Sequence, residues 1–211
     1  MDPPTPRPPR PYQDAPRLPE GDLVDVRAIV RGSWVEIEVG PGRGGFLFER
    51  ARAVPDAALV GFEVRRKWAA IVDQRLAKQG LGSRVRVFAE DAKLALRRLG
   101  PDRSVRRIFL HFPDPWWKKR HQKRLVLEPS LVTDAVRLLE PGGELFVQTD
   151  VAERASQYEA LLGAELSLSP LGDVPGSPRL AANPYDARSP REHRAIADGL
   201  PVHRLRFLRR P

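Results

Sequence analysis

Short apolar runs alternate with longer amphipathic segments through most of this chain, beginning at Trp34. Apolar runs of about six residues predict buried strands, and segments with one apolar stripe predict helices. The predicted strands are Trp34–Val39, Ala58–Val64, Arg84–Ala89, Val105–Leu110 and Glu144–Thr149. The predicted helices are Gly44–Ala53, Arg65–Gln79, Ala92–Leu99 and Pro129–Leu139. This alternation is typical of a doubly wound α/β fold, a mostly parallel sheet of about seven strands with helices on both faces.

The C-terminal part of the chain predicts further elements of the same kind. A helix from after Asp150 to about Leu162 leads to a strand at Ala164–Ser169, and an alternating strand with one basic side covers Val202–Phe207. Between them, the segment 170–186 is rich in Pro, Gly and Asn. It is long for a loop in a compact domain, and such loops are usually functional or disordered.

The first twenty residues differ from everything that follows. They contain eight prolines and almost no apolar side chains, so they cannot bury enough surface to fold alone. We therefore expect residues 1–20 to form an extended, disordered arm. Residues 21–211 have a length that suits one domain with a single core.

Charge and composition narrow the class of partner. The 36 Lys and Arg residues outnumber the 27 Asp and Glu residues, which gives a formal net charge of +9 and favours a polyanion, with nucleic acid as the first candidate. Cysteine is absent, which excludes disulfides, thiolate metal sites and cysteine nucleophiles. The four histidines have no metal-site spacing. Without an apolar span of about 18 residues or a signal-peptide core, we expect a cytoplasmic protein with no membrane association.

Glycines follow the first predicted strand in the stretch EVGPGRGG and lead into the first predicted helix. Gly40, Gly42 and Gly44 let the backbone turn sharply and approach a ligand closely, which a β-carbon would obstruct. Alone, this turn is a weak signal, because enzymes that bind NAD, FAD or S-adenosylmethionine all use glycine-rich turns between a strand and a helix.

Acidic residues at three successive strand ends, Glu38, Glu63 and Asp91, sharpen that signal. Glu63 lies 23 residues after Gly40, where an acid can accept hydrogen bonds from a ribose diol. Three acids would repel a pyrophosphate and suit a cationic cofactor with a free amino group, which favours S-adenosylmethionine. The alternative for each acid is a charge or cap at a helix N-terminus, worth about 0.3–1 kcal/mol. For Asp91, position alone does not decide between the two.

An acid between two prolines follows the fourth predicted strand, in FLHFPDPWWKKRHQKRL. Pro113 and Pro115 fix their own φ, and Pro115 also pushes Asp114 into the extended region. Ligands of open parallel sheets bind outside the carboxyl ends of the strands, so this position favours a site. The alternative is a surface turn with a solvated basic tail.

These motifs resemble those of the bacterial tRNA (guanine-N7-)-methyltransferases, a class I S-adenosylmethionine-dependent family, over about residues 30–207. The most specific part is PDPWWKKRHQKR, which resembles that family's hallmark PDPW-x-K-x-R-H-x-K-R almost position for position. EVGPGRG, GFEV and EDA resemble its cofactor motifs. The resemblance implies that the cofactor and reaction centre are lined by Glu38, Glu63, Asp91 and Asp114. It implies substrate binding by Lys118 and Asp150, and RNA contacts by Arg120, His121, Gln122, Lys123, Arg124 and Leu125.

Two positions depart from that family's pattern. A C-terminal Thr-x-x-Glu motif that binds substrate in the family is matched here by Ser189 to Glu192, and serine keeps the hydroxyl but loses the methyl group. The same residues, with Pro190 at the first helical position, also match a helix capping box, and both roles are compatible. Leu125 stands where the family often has another arginine, which would remove one phosphate contact.

The implied reaction agrees with the missing cysteines. Guanine N7 has an in-plane lone pair that attacks a sulfonium methyl directly, whereas methylation at pyrimidine C5 normally requires a cysteine nucleophile. Asp114 would accept hydrogen bonds from the guanine N1–H and amino group and stabilise the developing charge. Two alternatives remain open: an amino-group methyltransferase acting on adenine or glutamine, and a non-catalytic RNA-binding protein on a methyltransferase fold. The oligomeric state, monomer or homodimer, is open as well.

Overall fold

Parallel strands form the centre of this protein, for which a computed structural model describes residues 12–113 and 125–211. The strands are β1 Val24–Asp25, β2 Trp34–Val39, β3 Ala57–Phe62, β4 Val85–Phe88, β5 Leu99–Gly100, β6 Val105–His111, β7 Leu139–Thr149, β8 Leu168–Pro170, β9 Arg179–Leu180 and β10 His203–Arg209. The helices are α1 Val26–Ile29, α2 Gly45–Ala53, α3 Arg66–Lys78, α4 Ala92–Arg98, α5 Pro129–Leu138, α6 Ala152–Gly163 and α7 Pro190–Ala197.

Within those residues the main sheet has the order β4-β3-β2-β6-β7-β10-β8, and β9 pairs with β10. Neighbours from β4 to β7 are parallel, whereas β10 is antiparallel to β7, β8 and β9. Because β2 lies between β3 and β6, the strand order reverses beside it, and ligands of such sheets bind at the carboxyl ends around that point. The predicted doubly wound α/β fold is confirmed.

The two faces of the sheet are covered by different helices. Val35 and Ile37 of β2 point into a core that includes Leu96 of α4, Leu131 of α5 and Leu162 of α6. On the other face, a second core joins β3 and β4 to α2 and α3. None of the helices in the described residues is both long and apolar enough to span a bilayer.

One predicted strand is misplaced. The prediction put it at Ala164–Ser169, but α6 continues to Gly163, and the Leu168 N–H then donates to the Glu165 carbonyl at 3.0 Å, which closes a turn. Extended backbone therefore begins only at Leu168. There, pairing with β10 sets the register, with Arg209 opposite Leu168.

The predicted N-terminal arm is too long and requires correction. Ala15 and Leu18 are buried, and the Ala89 N–H donates to the Pro16 carbonyl at 2.6 Å. The Leu18 N–H also donates to Glu90 Oε1 at 3.2 Å. Residues 12–20 therefore pack against the end of β4, because two small apolar contacts and backbone hydrogen bonds hold a segment that its composition alone would leave loose. Residues 1–11 lie outside the described residues.

Candidate active site

The glycine turn after β2 has the backbone conformation that its sequence predicts. Gly40, Gly42 and Gly44 have φ values of 70°, 56° and 77°, a region that side chains with a β-carbon rarely adopt. A Cβ on Gly44 would lie 2.5 Å from Val72 Cγ1, so α2 and α3 approach each other closely at this turn. A Cβ on Gly40 would meet no atom within 4 Å, so open space lies beside the turn at the strand end.

Glu63 joins the ends of β2 and β3 beneath that turn. Its side chain is almost completely buried, and Oε2 accepts a hydrogen bond from the Gly42 N–H at 2.9 Å. Oε1 accepts from the backbone N–H and the Nε of Arg65, both at 3.0 Å. The carboxylate therefore fixes the turn from below, at the position where the sequence predicts a ribose acceptor.

Asp91 occupies the cap position of α4. Its side chain accepts a hydrogen bond from the Lys93 N–H at 2.9 Å, and the residue is exposed. The capping role considered from the sequence is thus present. The Asp91 carboxylate lies beyond the end of β4 and serves as a helix cap. The cofactor contact predicted for Asp91 stays a prediction.

Glu38 and His111 form a buried pair across β2 and β6. His111 Nδ1 lies 2.8 Å from Glu38 Oε1, and in the tautomer that carries its proton on Nδ1 the histidine donates this hydrogen bond to the carboxylate. Within the described residues, Glu38 Oε2, His111 Nε2 and both amide atoms of Gln148 are buried without a hydrogen-bond partner. Orphaned polar atoms at neighbouring strand ends indicate a place where water or ligand groups complete the hydrogen bonding.

β6 leads directly into the predicted reaction centre. Phe112 has a φ of 50°, uncommon for a bulky residue, and its N–H donates to the Gln148 carbonyl at 2.8 Å. The following Pro113 is the last described residue before the gap. Seven predicted site residues lie outside the described residues: Asp114, Lys118, Arg120, His121, Gln122, Lys123 and Arg124. The half-buried Leu125 is the first described residue after them.

α7 docks beside the glycine turn through the predicted capping motif. Ser189 is the N-cap, and its hydroxyl accepts from the Glu192 N–H at 3.2 Å. Pro190 packs so closely on Gly45 that a Cβ at position 45 would overlap the proline ring. The Glu192 carboxylate is fully buried and accepts from Arg204 at 2.8 and 3.0 Å and from Asn183 at 2.8 Å. Direct substrate contact by Ser189 and Glu192 stays a prediction. The contacts present hold α7 in place.

Asp150 follows β7 and is held by Arg191, which lies between Pro190 and Glu192 in the capping motif. Arg191 Nη2 lies 2.6 Å from Asp150 Oδ2, and the guanidinium carbon lies 5.6 Å from the Phe112 ring centroid. Asp150, predicted to bind substrate, is therefore adjacent to the exit of β6. Substrate binding by Asp150 stays a prediction.

A buried ionic network lies deeper in the protein, on the face of the sheet that carries Glu38 and His111. Glu36 has no solvent exposure and accepts from Arg50 at 2.8 Å and Arg107 at 2.9 Å. Burial alone would raise the pKa of Glu36, but hydrogen bonds and charge from Arg50, together with Arg107, outweigh it and lower the pKa. The Tyr185 hydroxyl donates to Glu144 at 2.8 Å, and burial followed by the Glu144 charge raises its pKa. This network supports α2 and β6 from below.

Two arginines on the basic side of β10 have internal partners. Arg204 pairs with Glu192, and Arg206 Nη1 lies 3.7 Å from Glu144. Both belong to the polar sheet face rather than to an outward cationic surface. The sequence signal for this layer was the spacing of polar residues along buried strands. Glu36 and Glu38 are two residues apart in β2, and Arg107 and His111 are four residues apart in β6, so each pair lies on one face of its strand. Within the described residues, no group of His, Asp and Glu is arranged to hold a metal ion.

Comparisons with known proteins agree with this architecture. The 16S rRNA methyltransferase KamB superposes with a TM-score of 0.59 at 17% identity, covering 88% of this chain and 91% of that one. A SAM-dependent O-methyltransferase from Thermotoga maritima superposes with a TM-score of 0.55 at 18% identity, covering 86% of this chain and 61% of that one. At such identities the likeness shows the fold alone.

Proteins with similar sequences identify the family more specifically than the solved structures do. A family model described as "Putative methyltransferase" matches residues 33–205. The tRNA (guanine-N(7)-)-methyltransferase of Myxococcus xanthus is 37% identical over 83% of this chain and 83% of its own length. That of Anaeromyxobacter dehalogenans is 41% identical over 84% of this chain and 87% of its own length. This chain therefore belongs to the tRNA (guanine-N(7)-)-methyltransferase family.

Proposed function

We propose that this protein transfers the methyl group of S-adenosylmethionine to N7 of the variable-loop guanine, position 46, of tRNA. The observation that carries the proposal is the arrangement around the glycine turn: Gly42 is tied to Glu63, and Glu38 keeps one buried oxygen without a partner in the described residues. β6 ends beside them, three residues before Asp114 in the sequence. The relatives' names supply the substrate class, and the cationic chain suits an RNA.

The residues present fit the proposed cofactor. The open space beside Gly40 leaves room for a ligand at the carboxyl ends of β2 and β3. Glu63 would accept from the ribose hydroxyls, and the Glu38 oxygen that has no partner among residues 12–113 and 125–211 suits a cationic amino group. Asp91 would line the same site from the end of β4. S-adenosylmethionine supplies a methyl group on positively charged sulfur, and the acids Glu38, Glu63 and Asp91 after these strands suit that charge. The proposed cofactor residues are Glu38, Gly40, Gly42, Gly44, Glu63, Asp91 and Asp114.

The substrate half of the proposal rests on β6, β7 and α7. Asp114 would accept from the N1–H and amino group of guanine and hold N7 in line with the methyl carbon. Asp150 lies after β7, next to Phe112, and would bind substrate with Lys118, Ser189 and Glu192. The proposed RNA contacts are Arg120, His121, Gln122, Lys123, Arg124 and Leu125. For an enzyme acting on bacterial tRNA, the cytoplasm is the proposed compartment.

Nucleoside analysis tests this function directly. Pure protein is incubated with labelled S-adenosylmethionine and a tRNA transcript, and the digested nucleosides are identified by mass spectrometry. We expect labelled 7-methylguanosine, and none from a matched transcript with adenine at position 46. Labelled N6-methyladenosine would instead indicate an amino-group methyltransferase. Cofactor binding without any labelled nucleoside would overturn the proposed activity.

A further inference from the structure

Two cations, Arg43 and Lys67, lie against the ring of Trp68 at the rim of the cofactor side of the sheet, and two more, Arg65 and Arg66, come directly before Lys67 in the sequence. Arg43 lies on the glycine turn, Arg65 caps α3, and Arg66 and Lys67 begin α3. All four are exposed. Arg43 lies 4.7 Å and Lys67 5.7 Å from the Trp68 ring centroid. We call Arg43, Arg65, Arg66, Lys67 and Trp68 the Trp68 rim.

The position of these cations is unfavourable for the helix itself. The N-terminus of a helix carries a partial positive charge and stabilises acids, whereas cations are stabilising at the C-terminus. Within the described residues, the first turn of α3 contains no acid that would offset Arg66 and Lys67. Glu63 compensates only Arg65, through the ion pair at 3.0 Å. Cations that oppose helix stability at the mouth of a site indicate a role in binding an anion.

The Trp68 rim also lies at the edge of the sheet where the carboxyl ends of the parallel strands, and the proposed cofactor site, are found. α3 begins directly after β3, and β3 and β6 are the two neighbours of β2. With strands about 4.8 Å apart, the ends of β3 and β6 are separated by roughly 10 Å. The basic run proposed to contact RNA follows β6 in the sequence. A polyanion lying along this edge would meet the Trp68 rim next to the mouth of the proposed cofactor site.

We propose that the Trp68 rim is a second contact surface for the phosphate backbone of tRNA. This inference rests on the proposed function and extends the RNA interface beyond residues 120–125, across the mouth of the cofactor site. The cations neutralise phosphates, and the ring face of Trp68 positions two of the cations, Arg43 and Lys67. Contacts of this kind fix the orientation of the RNA without reading its sequence.

The test compares two cations at the start of α3 with two cations in the last turns of α2 and α3. The rim variant is Arg66→Gln with Lys67→Gln. The control is Arg52→Gln with Lys78→Gln, which removes exposed cations from the last turns of α2 and α3. Binding of a labelled tRNA transcript is measured by equilibrium titration from low to moderate NaCl. We expect the rim variant to bind about tenfold more weakly, with a log–log salt slope shallower by about 0.7–0.9 for each lost phosphate contact. The control should stay within about twofold of the unchanged protein.

Measurements of thermal stability distinguish a role of the Trp68 rim in tRNA binding from a general loss of folding. A charge reversal, Arg66→Glu with Lys67→Glu, should raise the melting temperature or leave it unchanged, because acids are favoured at that helix end. It should nevertheless weaken tRNA binding more than the Gln pair does. Equal affinity and equal salt slope in the rim variant and the control would overturn the proposed surface. If the unchanged protein binds S-adenosylmethionine but not tRNA, the proposed function fails, and this inference fails with it.

Discussion

Glu38 Oε1 and His111 Nδ1 lie 2.8 Å apart in the interior, between the carboxyl ends of β2 and β6. The histidine N–H holds one carboxylate oxygen, and in the described residues the other oxygen has no partner. A buried carboxylate held in this way has its second oxygen fixed in direction. His111 thereby links the glycine turn of the proposed cofactor site to the strand that leads into Asp114.

Substitution of His111 should separate hydrogen bonding from packing. His111→Asn can keep a donor near the position of Nδ1, whereas His111→Leu leaves the Glu38 carboxylate buried without one, which costs about 1–3 kcal/mol. We expect the Leu variant to be less stable and to bind S-adenosylmethionine more weakly, and the Asn variant to recover most of both. Urea denaturation and calorimetric titration measure the two effects. Unchanged affinity in the Leu variant would exclude a role for this hydrogen bond in cofactor binding.

Substitution of Glu63 offers a second test of the proposed binding of S-adenosylmethionine. Glu63→Ala removes the proposed ribose acceptor, and a hydrogen bond to a charged group contributes about 1.5–3 kcal/mol, so affinity for S-adenosylmethionine should fall by roughly 10- to 150-fold. Arg65→Ala is the matched control, because it removes the ion pair at 3.0 Å but keeps the carboxylate. That control should retain near-normal affinity. An equal loss in both variants would show that Glu63 acts only by holding its own loop.

Much of the fold could be predicted because its signals are local. β2 is identical in prediction and structure, because its aromatic and β-branched residues favour a strand and turn-forming residues, Gly32–Ser33 and Gly40–Pro41, bound it at both ends. The docking of Leu18 could not be predicted, because its partner Glu90 is 72 residues away and the surrounding prolines predict a loose arm. The His111–Glu38 pair depends likewise on contact across 73 residues.

The Glu36 network predicts a specific dependence of stability on pH. The pKa of Glu36 is lowered in the folded protein, so between the folded and unfolded values the unfolded chain binds more protons. The free energy of unfolding should therefore fall as pH decreases below the ordinary carboxyl value of 4.5 towards the folded value. Glu36→Gln leaves Arg50 and Arg107 without their shared buried acid and should cost about 3–5 kcal/mol at pH 7.

The exposed ion pair of Arg106 with Glu140 provides the control for that prediction. Its side chains are 39% and 32% exposed, and such pairs contribute about 0–1 kcal/mol. Glu140→Gln should therefore change stability little at pH 7. Urea denaturation at pH 7 and pH 4 measures both variants. A Glu36→Gln protein that is as stable as the Glu140→Gln protein would contradict the proposed importance of the buried network.

Asp114 should affect the methyl-transfer rate rather than cofactor binding. As guanine N7 becomes cationic, the acidity of the N1–H and amino group rises, so a hydrogen bond to the Asp114 carboxylate strengthens towards the transition state. Interactions of that kind lower kcat when they are lost, whereas Glu63→Ala should chiefly weaken cofactor binding. Asp114→Asn keeps the size of the side chain but loses its charge and half of its acceptor capacity. Single-turnover transfer at saturating cofactor and tRNA should fall at least about tenfold, equivalent to about 1.4 kcal/mol. A near-normal rate under those conditions would remove Asp114 from the reaction and leave it as a residue of the loop.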